Sequence, residues 1–405
     1  MSKCPVHIDL VDPDIYREGV PNHFLKELRA EAPLAWYDDK STGVGFWAVT
    51  KHEDLDYISK HPLIFSSAEK TCLMREMNEE AVAMQRLMMI NMDPPDHLQN
   101  RRIVNKAFIP KVIESKLANI KDISKEIVDK VAAKGECEFV TEVATDLPLI
   151  VICELMGVKK EDRQMIFDCT NTMVFADDPD MSTSEEDGQM AAAQIYTYGM
   201  QLLAEHRENP TDSLTGILVD SVDGEGLSED EFCSFFLILL VAGNETTRTV
   251  TVNGMRLLME HPEQLQAIAA DMSLLPNAVE EMLRHQPAVI QFRRTVMEDV
   301  VVSGQQLKKG DKVIMFYPSA NRDEALFDEG DAFDIYRNNA DQHRSFGIGE
   351  HFCLGSHLAR LELRVIFEEV ISRMKNPKFA APVKRLRSNF INGIKEMKIT
   401  FDPEV

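Results

Sequence analysis

Cys353 sits in the run Phe346-Gly347-Ile348-Gly349-Glu350-His351-Phe352-Cys353-Leu354-Gly355, and a helix-like stretch begins at Ser356. A thiolate in this setting can hold iron. Glycines on both sides let the backbone pass close under a flat macrocycle, where a β-carbon would clash. The helix N-terminus behind the cysteine offers unpaired N–H groups and positive dipole charge, which favour S⁻ over SH. Two blander uses compete. A lone cysteine in apolar surroundings is commonly an inert core residue. His343, His351 and His357 crowd the same stretch, as in a zinc site, yet structural zinc sites bring cysteines in close pairs and the chain has no Cys-x-x-Cys. The iron-thiolate reading is the one carried forward.

Three more groups of residues could do chemistry or position it. Ala242-Gly243-Asn244-Glu245-Thr246-Thr247 follows the apolar run Phe235 to Val241 inside a long helical pattern. Glycine there costs a helix about 1 kcal/mol relative to alanine, and threonine is a mediocre former, so the polar insert has a purpose other than helicity. Taken alone it would be a polar stripe facing solvent. Glu281 and Arg284 stand at i and i+3, one helix face, behind a helix start at Pro276; most such pairs are exposed and weak. His97 and Arg101 stand at i and i+4 after the Pro94-Pro95 turn, and Arg294 and His351 add two further basic positions.

Together these segments resemble the cytochrome P-450 family. Phe346, Gly349, His351, Cys353 and Gly355 fill the fixed places of its haem loop (Phe, two residues, Gly, one residue, Arg or His, one residue, Cys, one residue, Gly), and Ala359 matches the usual alanine. The resemblance implies haem b with Cys353 as axial ligand and Phe346, Gly347, Gly355 and Ala242 against the macrocycle. It gives His97, Arg101, Arg294 and His351 to the propionates, which need cations at a buried edge. It places Thr246 where its hydroxyl can donate a hydrogen bond to dioxygen, in a helix locally opened to form a groove, with Glu245 linking it to a proton source. Glu281 and Arg284 become a buried pair that holds the segment before the cysteine loop.

At 405 residues, 44% hydrophobic and 27% charged, the chain has ample material for a core. The formal charge of −23 argues against nonspecific binding to nucleic acid or anionic lipid. The longest apolar run, Phe235 to Gly243, is too short to span a bilayer, and the N-terminus has no apolar signal region. Seven scattered cysteines read as reduced thiols, so the expected location is cytoplasmic.

The expected architecture is one domain over residues 1–405, mainly α with small β-sheets. A hairpin is expected at 33–39 and 45–50, and helices over 111–134, 143–158, 160–175, 187–207, 228–261 and 354–374. Ser228-Glu229-Asp230-Glu231 reads as the capping box of the longest. Strands resume over 288–302 and 313–316, and residues 390–401 read as a terminal strand and turn. The resemblance implies the P-450 fold, with haem between the long central helix and the cysteine loop and last long helix. The polar segment 177–188 is expected to be a mobile lid.

The activity the resemblance implies is a monooxygenase that inserts one oxygen atom of dioxygen into a C–H bond of a hydrophobic substrate. Six methionines between Met74 and Met92 fall in the region that roofs the family's pocket, and methionine fills irregular apolar space. The bland alternative has Met84, Leu87 and Met88 simply facing the core. Wall positions are Met88, Met89, Met173, Phe175, Leu239, Ala242, Val289, Phe292 and Phe390. Residues 385–394 and 316–321 resemble those of bacterial enzymes acting on sterol side chains and methyl-branched lipids; terpene hydroxylases share parts of the pattern. The expected partners are an iron–sulfur ferredoxin and its NAD(P)H-dependent reductase, with the protein itself a monomer. Ferredoxin docking is expected at Arg101, Arg102, Lys106, Lys111, Arg344, Arg360 and Arg364. Two rivals remain: a peroxide-driven haem enzyme, which would place an arginine near the groove (Arg248 is discounted as facing another way), and a non-catalytic haem sensor or carrier.

Overall fold

The computed structural model describes residues 8–174, 178–181, 184–210, 213–219 and 227–404. The chain forms two compact units, each drawn from separate stretches of sequence.

The first unit takes the chain up to Arg101, then Glu280–Cys353 and Asn389–Asn392. Its centre is a five-stranded sheet in the order Leu34–Tyr37, Phe46–Val49, Lys312–Phe316, Gln291–Val296, Phe65–Ser66. The expected hairpin is present, with Leu34 opposite Val49 and Tyr37 opposite Phe46. Phe46–Val49 then pairs parallel with Lys312–Phe316, and the remaining pairings are antiparallel. Alternation along the strands sorts the core. Trp47, Val49, Val313 and Met315 pack on one face with Leu55 and Phe65. Phe46, Ala48, Ile314 and Phe316 pack on the other with Leu10, Leu25 and Met74.

The second unit holds the long helices. Ser228 caps Glu229–Glu260 with the expected box: its hydroxyl accepts from the Glu231 N–H at 3.3 Å, and Glu231 Oε2 accepts from the Ser228 N–H at 2.9 Å. The helix buries most of its surface against Asp146–Met156, Glu185–Glu208 and Ser356–Arg373, and its stretch from Phe232 to Leu240 is apolar on nearly every side for that reason. Pro262 ends it and opens the next helix, Pro262–Ala270. Gly243 has a packing reason: a Cβ there would lie 3.0 Å from the Ile152 side chain.

Other boundaries move. The helix expected over 111–134 divides into Pro110–Glu114 and Leu117–Ala132. The one over 143–158 is a π-helical turn, Val140–Ala144, followed by Asp146–Met156, closed by Gly157 at φ 80°. Lys160–Asp162 is a 3₁₀ turn before Arg163–Val174, and Phe175 lies outside the described residues. The strands of this unit are Glu136–Glu138, Lys398–Asp402 and Lys375–Phe379 in one sheet and the pair Lys384–Arg385 with Ile394–Glu396.

The lid expectation needs correction where the segment is described. Asp178 is buried, accepts the Arg387 N–H at 3.0 Å, and is ion-paired with Lys395 at 2.8 Å; Lys395 also reaches Asp180 at 2.6 Å. A buried carboxylate held by a lysine and a backbone N–H anchors this stretch to the C-terminal strand pair. No described helix is long and apolar enough to cross a membrane.

Candidate functional site

The cysteine loop of the first unit is a tight turn built on two glycines. Gly347 and Gly349 have φ of 67° and 76°. At Gly349 a Cβ would also meet the Ser59 carbonyl oxygen at 2.6 Å. The Cys353 N–H donates to the Phe346 carbonyl at 2.8 Å and the Phe352 N–H to that of Gly349 at 3.1 Å. Gly355 differs: its φ is −82° and a Cβ would meet nothing within 4 Å among the described residues, so none of them requires glycine there. A macrocycle lying against that backbone would, and the loop fits it.

Cys353 also differs from the other described cysteines. It is partly exposed, whereas Cys72, Cys137, Cys153, Cys169 and Cys233 are buried. Burial pushes the Cys72 and Cys233 thiols up to about 11 and those of Cys137 and Cys153 to about 12, leaving them inert.

All four expected propionate residues belong to this unit, and three are in close mutual reach. The His97 and His351 rings lie 4.2 Å apart, and Ser67 Oγ lies 3.3 Å from His351 Nε2. Arg101 donates to the Phe352 carbonyl at 2.6 Å. Arg294, 6% exposed, donates to the Arg293 carbonyl at 2.7 Å. Burial, then the positive charge of Arg101, lowers His97 to about 4. Burial and the cations Arg294 and Arg101 likewise hold His351 well below its ordinary value. His97 Nδ1 is buried with no hydrogen-bond partner among the described residues. Two arginines, a cramped pair of imidazoles and an orphaned ring nitrogen form a donor set suited to carboxylates.

A buried ion pair holds the loop's base. Arg284 and Glu281 make a two-bond contact, both at 2.7 Å, with neither side chain exposed. Arg284 further donates to the carbonyls of Asn321, Gly330 and Ala332 at 2.8, 2.7 and 2.8 Å. Arg337, which the spacing gave no reason to single out, approaches Glu281 at 3.3 Å. Asn321 carries the contact onward: it accepts the Arg344 N–H at 2.7 Å and donates to Ser345 Oγ at 2.9 Å.

Among the expected wall residues of this unit, Phe292 and Phe390 meet edge-on at 5.6 Å, and Val289 bridges to Ile391. Met88 and Met89 are half-buried. Met84 and Leu87 are 69% and 43% exposed, so they do not face the core as the bland alternative required.

The second unit carries Glu245 and Thr246. The helix Glu229–Glu260 runs through both residues. The Thr246 hydroxyl donates back to the Ala242 carbonyl at 2.6 Å, and Ala242 is exposed between half-buried Val241 and Gly243. Glu245 does not touch Thr246. It forms a close, buried ion pair with Arg248 and accepts from the Thr249 hydroxyl at 3.2 Å. Arg248 also reaches Asn171 at 3.2 Å. Arg248 therefore faces Glu245 rather than away, as the i, i+3 spacing requires. Burial pushes the Glu245 carboxyl above its ordinary range, with Arg248 opposing. Leu239 is buried and Met173 half-buried.

One acid escaped the sequence reading. Glu362, 1% exposed on Ser356–Arg373, bonds to the Thr247 hydroxyl and has a second oxygen without a partner among the described residues. Burial pushes its carboxyl up to about 8, so it keeps its proton at neutral pH. Its setting, Leu361-Glu362-Leu363, was an available signal.

Comparison with known proteins follows the same lines. The family model described as Cytochrome P450 matches residues 52–401. A steroid C26-monooxygenase of Rhodococcus jostii is 37% identical, over 98% of this chain and 85% of its own length. A methyl-branched lipid omega-hydroxylase of Mycobacterium tuberculosis is 40% identical, over 92% and 89%. Among solved structures, a Mycobacterium marinum cytochrome P450 in complex with pseudoionone superposes with a TM-score of 0.90 at 32% identity, covering 98% of this chain and 99% of that one.

Proposed function

We propose, for a chain that belongs to the cytochrome P450 family, hydroxylation of a steroid, terpenoid or methyl-branched lipid with electrons from a ferredoxin. Membership makes the protein a monooxygenase that carries haem b. When bound, the haem supplies dioxygen activation, and a thiolate ligand favours O–O cleavage.

The chain's own residues do the rest. Cys353 is the thiolate, set on the glycine turn and unburied among buried thiols; this is the observation that carries the reading. Arg101, Arg294, His97 and His351 bind the propionates. Thr246 holds a hydroxyl for dioxygen; with its one proton on the Ala242 carbonyl it presents its lone pairs, and it must leave that carbonyl in order to donate. Protons are held at Glu245, which must first part from Arg248, and at Glu362 through Thr247. Val289, Phe292, Phe390, Met88 and Met89 offer apolar contact without a charged anchor, consistent with a substrate recognised by shape. The relatives named for steroid and branched-lipid oxidation support that class.

The test is a screen of the holoprotein against a steroid, a terpenoid and a branched fatty acid. It follows the low- to high-spin shift of the haem, then product with ferredoxin, reductase and NAD(P)H. A shift followed by a singly oxygenated product is expected. Product formed with peroxide alone would favour the peroxide-driven reading, and ligand binding without turnover the sensor.

Electron delivery is expected at a basic surface. Arg102, Lys106, Lys111 and Arg364 are exposed in a chain of net charge −23. Arg344 does not join them: Asp56 holds its guanidinium at 2.5 and 3.0 Å. Reversing Arg102, Lys106 and Arg364 to glutamate is expected to slow reduction by ferredoxin about tenfold or more, with substrate affinity unchanged. The wild-type rate should fall with salt. Reduction indifferent to both salt and charge reversal would exclude this surface.

A further inference from the structure

Between Cys72 and Asn91 the first unit makes an excursion that carries Met74, Met77, Met84, Met88 and Met89. Asn91, 1% exposed, ends the 3₁₀ turn Met89–Asn91. Its Oδ1 accepts the Cys72 N–H at 2.9 Å, and its Nδ2 donates to the Gln85 carbonyl at 3.0 Å and to Gln85 Oε1 at 3.3 Å. One buried carboxamide thus ties the start of the excursion, the end of the helix Glu79–Gln85 and its own turn together. Cys72 is tied on its other side as well. Its carbonyl accepts the Arg293 N–H at 2.8 Å, from the strand that carries Phe292 and Arg294. Thr71, just before it, is a buried β-branched residue at φ 67°, a conformation that persists only where the surroundings dictate it.

We propose that Asn91 is a positioning residue that sets substrate selectivity, by fixing Met88 and Met89 relative to Phe292. This rests on the reading of those three as pocket lining. Removing the carboxamide strands the buried Cys72 N–H and leaves the Gln85 carbonyl with the Met88 N–H at 3.1 Å, and a buried polar group without a partner moves to find water. Met88 and Met89 share the turn with Asn91 and move with it. Small displacements of a supporting residue of this kind loosen a site whose own residues are untouched.

The test compares the haem-loaded wild type with Asn91→Ala and Asn91→Asp, the second keeping the shape and the acceptor in case the first folds poorly. Cys72, buried beside Asn91, reports the staple without any substrate. Its alkylation by N-ethylmaleimide, mapped by peptide mass, is expected to rise about tenfold or more, while Cys153 stays protected. Selectivity is read with two haem ligands, imidazole and 4-phenylimidazole. Imidazole affinity should hold, and the ratio of the two affinities should shift about tenfold, because the phenyl ring must fit beneath the methionines. Both probes need only the haem, so the outcome stands even if no steroid, terpenoid or branched lipid proves to be the substrate. Unchanged Cys72 labelling in both variants would overturn the staple. Faster labelling with an unchanged affinity ratio would overturn its role in selectivity.

Discussion

Arg284→Ala is expected to yield protein that is poorly soluble, loses haem on purification, and unfolds at markedly lower urea. The guanidinium is fully buried and spends its donors on Glu281 and three carbonyls. Truncation leaves the buried Glu281 carboxylate with the Asp334 N–H at 2.9 Å and Arg337 at 3.3 Å, and takes the Arg284 donors from the Asn321 and Gly330 carbonyls in the interior. Breaking one partner of a buried pair costs about 3–5 kcal/mol, a large share of the roughly 5–15 kcal/mol that holds a protein folded. The damage is directed. Asn321, whose carbonyl Arg284 holds, also fixes Arg344 and Ser345 immediately ahead of Phe346, the partner of the Cys353 N–H. Arg284→Lys should rescue little, because one ammonium cannot reproduce a planar fork with contacts on several sides. Haem-to-protein ratio and urea midpoint check both variants. Near-wild-type values for Arg284→Ala would mean that the network is incidental to the loop.

Thr246→Ala is expected to bind haem and substrate normally while product per NAD(P)H consumed falls about tenfold or more, with hydrogen peroxide appearing instead. The hydroxyl sits half-exposed one turn beyond exposed Ala242, with Glu245 and Thr247 buried on either side. Removing it frees the Ala242 carbonyl and deletes the hydroxyl, without opening a core cavity. Thr246→Ser keeps the hydroxyl and should keep most of the coupling. Measuring product, peroxide and NAD(P)H together decides the matter. Unchanged coupling in Thr246→Ala would remove this residue from oxygen activation.

Local chemistry was legible wherever its cause was local. The turn glycines at 347 and 349, the Ser228 cap and the alternation of Phe46 to Val49 each announce their structure within a few residues. The i, i+3 rule that singled out Glu281 and Arg284 also applies to Glu245 and Arg248, where the sequence reading turned the arginine the wrong way. Contacts made across long sequence separation left no such mark. Arg337 reaches Glu281, Lys395 pins Asp178, and Asn91 closes on Cys72; none follows from periodicity or composition. The polarity of 177–188 read as a loose lid because its counter-charge lies far along the chain. The break before Leu117 interrupts an amphipathic pattern that by itself favours one continuous helix.

The reduced carbonyl spectrum of the haem-loaded protein, recorded beside Cys353→Ser, Cys169→Ser and Cys233→Ser, tests the central assignment most directly. Thiolate ligation gives a strongly red-shifted Soret band. The band should be present in the wild type and in both variants of buried cysteines, and absent from Cys353→Ser. A thiolate band that survived in Cys353→Ser would contradict the account at its root.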